Sequence, residues 1–142
     1  IVRNEVLFIG LKRLHLLFTM KPNPYALASF LSSREIGGVC VYTSETVDRE
    51  SSVHSRFFTP HLSSLEDPAT CSTHASLAVL LHEGGLVRAD EGRCIFQAEQ
   101  GDAIGRRGRI RVEIALEEGK PSSVKIGGSA LTVMHGEMLI NE

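Results

Sequence analysis

The sequence has little bias of charge: 15 Lys+Arg against 17 Asp+Glu leave a formal net charge of -2 over 142 residues. A balance so near zero argues against a dedicated nucleic-acid binder. Cysteine is sparse. Cys40, Cys71 and Cys94 are an odd number without CxxC spacing. They argue against a disulfide framework and for a reducing, cytoplasmic compartment. No apolar run approaches the roughly 18 residues that a membrane-spanning helix needs. The stretch Ile1 to Met20 is apolar, but Arg3, Glu5, Lys12, Arg13 and His15 interrupt it too often for a signal-peptide core. It starts with Ile rather than Met, as a processed or truncated start would. No HExxH occurs, and His54, His61, His74 and His82 show no ligand spacing, so no metal site is expected. No Gly-Lys-Ser/Thr follows the glycines around Gly105, so a phosphate loop is not supported. The nearby arginines, Arg106, Arg107, Arg109 and Arg111, lack interleaved aromatics. Arg109 and Arg111 read as one solvated strand face. No repeat, low-complexity tract or linker divides the chain, so residues 1–142 read as one domain.

What is present alternates between strands and turns. Val6–Ile9 and Leu14–Thr19 read as strands joined by a basic turn at Lys12-Arg13. Asn23 and Pro24 form a cap and first turn for a helix that carries Ala26, Leu27, Phe30 and Leu31 and ends near Ser33. Gly37-Gly38 opens a buried strand, Val39–Thr43. Val53–Thr59 is a strand with His54, Arg56 and Phe58 on one face and Val53, Ser55 and Phe57 on the other. Further strands are expected at 93–97, 109–115, 123–126, 130–133 and 137–140, between glycine-marked turns. The run Ala75 to Leu81 is apolar on nearly every side and predicts a helix buried all round, over 71–83. Gly84-Gly85 should end it by supplying a left-handed position. Many strands with one central helix predict an α+β fold, a curled, mostly antiparallel sheet around that helix.

The segment Glu66-Asp67-Pro68-Ala69-Thr70-Cys71-Ser72-Thr73-His74 turns sharply into the central helix. Pro68 fixes its own φ and keeps Asp67 out of helical backbone. With Thr70 as N-cap, the amides of Cys71, Ser72 and Thr73 have no partner within the helix. A carboxylate or phosphate can accept them and gains from the helix dipole. Asp67 lies close by, able to hold or relay a proton. Plain helix capping, with water on the remaining amides, explains the same residues.

The segment FFTPHLSSLEDPATCSTH, Phe57 to His74, resembles the phenazine biosynthesis-like PhzF family, whose motif runs EDPATGSAH after an aromatic pair. Gln100-Gly101, Gly105-Arg106 and Gly108-Arg109-Ile110 resemble its QG…GR-x-G segment. Val124 to Ala130 and Gly136-Glu137 resemble its late strands. The resemblance covers nearly the whole chain but only the second half of the family's diaminopimelate epimerase-like fold. That fold has two similar lobes with the active site between them. The resemblance implies a proton-transferring isomerase acting on a small unsaturated carboxylic acid without metal or organic cofactor. Asp67 and Ser72 would be catalytic. Cys71, Ser72, Thr73 and His74 would bind the substrate carboxylate. The glutamate that moves the proton in the family lies in the first half and has no match here. The implied partners are therefore a complementary first lobe or a second copy of the chain, with no nucleic acid and no membrane.

Two positions depart from the family pattern. Cys71 stands where Gly is usual and Thr73 where Ala is usual. A Cβ at Cys71 can crowd the close approach that Gly permits. Cys71 is either a reactive thiol at a helix N-terminus or a small inert one. These departures, and the missing half, support a second reading: a non-catalytic binding or assembly module.

Overall fold

A computed structural model describes residues 5–59 and 65–139. Strand β1 (Glu5–Gly10) is followed by helices α1 (Leu14–Thr19) and α2 (Pro24–Ser32). Then come β2 (Ile36–Thr43), β3 (Ser51–Phe58), the two-residue β4 (Glu66–Asp67) and helix α3 (Cys71–Glu83). Strands β5 (Arg93–Gln100), β6 (Gly108–Glu117) and β7 (Lys120–Gly127) complete one sheet. Its order is β1-β2-β3-β5-β6-β7, with β4 paired to the end of β3. The β1–β2 and β3–β5 pairs are parallel and the others antiparallel.

The sheet separates two apolar clusters by the alternation of its side chains. Leu77, Ala78 and Leu81 of α3 pack against Cys40, Val53, Phe57, Phe96, Ala98, Ile110, Val112 and Ile114. Val6 and Phe8 of β1 and Val124 and Ile126 of β7 join the same cluster, so every long strand contributes to the face that cradles α3. The opposite face, from Val39, Val41 and Phe58, packs against Leu17 of α1 and Leu31 of α2. The two expected faces of β3 are observed. Val53 and Phe57 face α3, whereas His54 meets Phe18 of α1 and Arg56 bonds the carbonyls of Leu17 and Met20.

Helix α2 starts as its sequence dictates: Asn23 accepts from the amides of Tyr25 and Ala26, and Pro24 fills the first turn. Helix α3 ends in a Schellman turn. The amide of Leu86 donates to the Leu81 carbonyl and that of Gly85 to His82, with Gly85 at φ +71°.

Three expectations are corrected. Leu14–Thr19 is a helix, not a strand. Four apolar residues in a six-residue segment carry no decisive period, and tertiary contacts decide. The Glu45 carboxylate accepts from the Leu14 amide at 2.7 Å and from Arg13 at 2.9 Å, capping the helix from a distant turn. Arg56 takes up the carbonyls at its other end. Next, α3 is not buried all round. Cys71, Ser72, Ser76 and Leu80 are exposed, because β1 and β7 are the outer strands of the sheet among the described residues and the curl leaves one flank of the helix open. Finally, residues 128–139 form no strand among the described residues, and Leu131 and Val133 are about 90% and 91% exposed. A strand needs a neighbour to pair with, and this segment has none here. Ile140 and His61 lie outside the described residues.

Candidate functional site at the N-terminus of helix α3

The site is built where β4 leaves the edge of β3 and the chain turns into α3. β4 is anchored by its first residue. Glu66 and Arg56, both buried, form a bidentate pair at 2.9 and 2.6 Å. Arg56 also lies over the Phe58 ring. A guanidinium matches a carboxylate's two oxygens in this fork geometry, so the next residue, Asp67, which pairs with Phe57, is held at a fixed place and the chain leaves the sheet after it.

The loop 67–70 is then folded on itself. Asp67 Oδ1 accepts from the Ala69 amide at 3.3 Å and Oδ2 from the Thr70 hydroxyl at 2.7 Å. Thr70 is the N-cap residue, as expected, but its hydroxyl serves Asp67 and makes no capping bond. The first backbone bond of α3 runs from the His74 amide to the Thr70 carbonyl. Among the described residues, the amides of Cys71, Ser72 and Thr73 make no hydrogen bond. Three parallel unpaired N–H groups therefore converge at a helix start, one turn from a carboxylate.

The five residues expected to form the site, Asp67, Cys71, Ser72, Thr73 and His74, differ in how they are placed. Asp67 is half-buried, while Cys71 and Ser72 stand exposed in the first helical turn. Cys71 has helical backbone, and no positive φ is required there. Thr73 and His74 are buried, so of Thr73 the unpaired amide is what bears on an anion. Both ring nitrogens of His74 are used inside the protein. Nδ1 lies 2.9 Å from the Thr70 carbonyl and Nε2 lies 3.2 Å from the Ser55 hydroxyl. A carbonyl only accepts, so Nδ1 carries a proton. Burial holds the imidazole below its ordinary value, against the opposing pull of the Thr70 carbonyl. His74 thus pins Thr70 from below.

Several residues that hold the site are not legible from local sequence. Gln100, at the end of β5, reaches Thr70 across 30 residues of chain and Asp67 across 33. Gly101, at φ +87°, lets the carbonyls of Arg106 and Pro68 approach where a Cβ would lie 2.1 and 2.7 Å from them. Beside this turn, Glu99 is buried and accepts from His54 Nδ1 at 2.6 Å and from the amides of Val47 and Asp48. The arginine strand face is also not simply solvated. Arg111 is exposed, but Arg109 is tied to Asp102 at 2.8 and 3.0 Å and to Asp48 at 2.6 Å. Asp102 and Asp48 raise its pKa further.

Among the described residues, no group of three or more His, Cys, Asp or Glu side chains comes together as metal ligands would. No described helix is long and apolar enough to cross a membrane.

The sequence profile of the family described as phenazine biosynthesis-like protein, PhzC-PhzF, matches residues 3–136. A relative from Clostridium acetobutylicum, named an uncharacterized isomerase, is 33% identical over 133 residues, covering 94% of this chain and 44% of its own length. The crystal structure of the Bacillus anthracis phenazine biosynthesis protein of the PhzF family superposes with a TM-score of 0.76 at 24% identity, over 94% of this chain and 45% of that one. A hydroxyproline epimerase from Agrobacterium vitis shares the fold more distantly, with a TM-score of 0.53 at 15% identity, over 78% of this chain and 27% of that one. The chain spans less than half the length of these relatives. The profile covers nearly all of the sequence, the EDPAT loop stands at the head of the central helix, and the α+β half-barrel superposes on that of its relatives: the chain belongs to the phenazine biosynthesis-like, PhzF, family.

Proposed function

We propose that this chain is the second lobe of a two-lobed isomerase that moves a proton along a small unsaturated carboxylic acid. The observation that carries this reading is the convergence of three unpaired amides, from Cys71, Ser72 and Thr73, beside the Asp67 carboxylate. The substrate carboxylate docks on those amides, where hydrogen bonds and the α3 dipole both favour negative charge. The Ser72 hydroxyl, exposed in the same turn, assists in holding it or in passing a proton. Asp67 bonds the reacting part of the substrate and acts as one partner of an acid/base pair. The other partner, a glutamate, comes from the complementary lobe, which closes the open flank of α3 and excludes water. No metal or organic cofactor takes part. The three free thiols fit a cytoplasmic setting.

The test is calorimetric titration of crotonate, a simple unsaturated carboxylate, into the chain assembled with a first lobe. Asp67→Ala should abolish binding while leaving the melting transition in place, and unchanged affinity would refute the assignment. A second reading, a binding or assembly module without catalysis, draws on Cys71 and Thr73 standing where the family motif has Gly and Ala. It predicts a stable complex with a partner lobe or a second copy, and no turnover even when both lobes are present.

A further inference from the structure

Gln100 is fully buried at the end of β5, and its carboxamide makes three hydrogen bonds to the loop 67–70. Its oxygen accepts from the Thr70 amide at 3.3 Å. Its nitrogen donates to the Asp67 carbonyl and, at 3.1 Å, to the Thr70 hydroxyl oxygen. The orientation of this amide is not a free choice. The Thr70 N–H can only donate and the Asp67 carbonyl can only accept, so oxygen must face the first and nitrogen the second.

That orientation sets the next bond. A hydroxyl has one proton to give. Because Gln100 already donates to the Thr70 oxygen, the Thr70 proton is directed to its other neighbour, Asp67 Oδ2, at 2.7 Å. The bonds therefore run one way, from Gln100 through Thr70 to Asp67, and each polarises the next. We propose that Gln100 is the positioning residue of this site: it fixes the direction of the Thr70 hydroxyl and thereby holds Asp67 as an oriented acceptor. Among the described residues it makes no hydrogen bond to the amides of Cys71, Ser72 and Thr73 or to the Asp67 carboxylate. Gly101, directly after it, lets the Pro68 carbonyl come close, which brings the loop within reach of the carboxamide. This inference rests on the reading that Asp67 meets the substrate, although the relay itself can be tested without it.

Two near-isosteric variants separate orientation from simple support. In Gln100→Glu the new carboxylate has only acceptors, so the Thr70 proton should turn away from Asp67 towards it. In Gln100→Met the volume is kept and all three bonds are lost. A control, Gln97→Met, removes a comparable bond from the same strand, to Ser51 at 3.0 Å, away from the site.

The experiment is NMR on the chain itself, with crotonate as probe. In the wild type the Thr70 hydroxyl proton should exchange slowly and show coupling through its hydrogen bond to the Asp67 carboxyl carbon. Gln100→Glu should abolish that coupling, and Gln100→Met should speed hydroxyl exchange about tenfold. Gln97→Met should change neither. Crotonate-induced shifts at the amides of Cys71, Ser72 and Thr73 should persist in Gln100→Glu to within about twofold, since those amides do not depend on the relay. Retained coupling in Gln100→Glu would overturn the proposal. So would loss of coupling and crotonate shifts together, because Gln100 would then only support the loop. If crotonate shifts nothing in any form while the coupling disappears as expected, the relay stands and the carboxylate-binding reading falls.

Discussion

Replacing Arg56 should be among the most damaging single changes to this fold, and the structure says by how much. Its guanidinium is buried and makes four hydrogen bonds, two to Glu66 and one each to the carbonyls of Leu17 and Met20. Arg56→Ala removes the bidentate cation held by a buried carboxylate, which costs about 3–5 kcal/mol in comparable pairs. It also strands the two carbonyls at the end of α1, each a further penalty of about 1 kcal/mol unless water reaches it. A loss of about 5–7 kcal/mol is comparable to the whole stability of many domains. At this chain length it corresponds to a fall in melting temperature of about 15–25 °C. The assay is urea unfolding of the wild type, Arg56→Ala, Glu66→Gln and the double variant. Glu66→Gln should cost about 3 kcal/mol, because it leaves the guanidinium charge buried. The double variant should lose at least 1 kcal/mol less than the sum of the singles, because the two side chains interact directly. If Arg56→Ala costs under about 1 kcal/mol, or the two changes add, the pair does not anchor β4 and the account of how Asp67 is placed is wrong.

Three other outcomes follow from the same geometry. Burial opposes ionisation of Asp102, but hydrogen bonds and charge from Arg109 outweigh it, so its pKa lies below the ordinary 3.8. A depressed folded-state value contributes stability above 3.8 that is lost as pH falls through the lower folded value. Unfolding measured from pH 5 to pH 2 should show this drop, and Arg109→Gln should flatten it. Gly101→Ala should cost well over 2 kcal/mol, since it adds a clash to a positive φ, whereas Gly105→Ala, also at positive φ but with nothing near its Cβ, should cost about 1 kcal/mol. Equal melting temperatures for the two would contradict the packing described. In native protein a thiol reagent should label exposed Cys71 alone. Burial shields Cys40 and Cys94 and pushes both thiols up, Cys40 to about 12, so they should react only after unfolding.

The parts of the fold legible in the sequence were those fixed by local chemistry. Asn23-Pro24 marked α2, Gly84-Gly85 marked the end of α3, and alternation separated the two faces of β3. The parts not legible depend on distant partners. Leu14–Thr19 is helical because Glu45 caps it and Arg56 closes it, from residues 31 and 39 positions away. The flank of α3 is open because the sheet has two edges, which no periodicity reveals. The candidate site divides the same way. Pro68 and the N-cap Thr70 predicted the free amides. The carboxamide that holds the loop, Gln100, sits 30 residues from Thr70, and the imidazole that pins it reaches back to Ser55 on β3. His74 looked like a ligand-facing residue because it is the last residue of the motif. Its helical position turns the ring inward, where both nitrogens find partners.

The proton transfer proposed at the head of α3 would be visible as deuterium incorporation. The chain assembled with a complementary first lobe would be incubated in D2O with a panel of small unsaturated carboxylic acids, and the acids recovered for mass spectrometry. At least one acid should gain a single deuterium, both lobes should be required, and Asp67→Ala should abolish the gain. Incorporation that survives Asp67→Ala, or that needs an added metal ion, would contradict the proposed transfer.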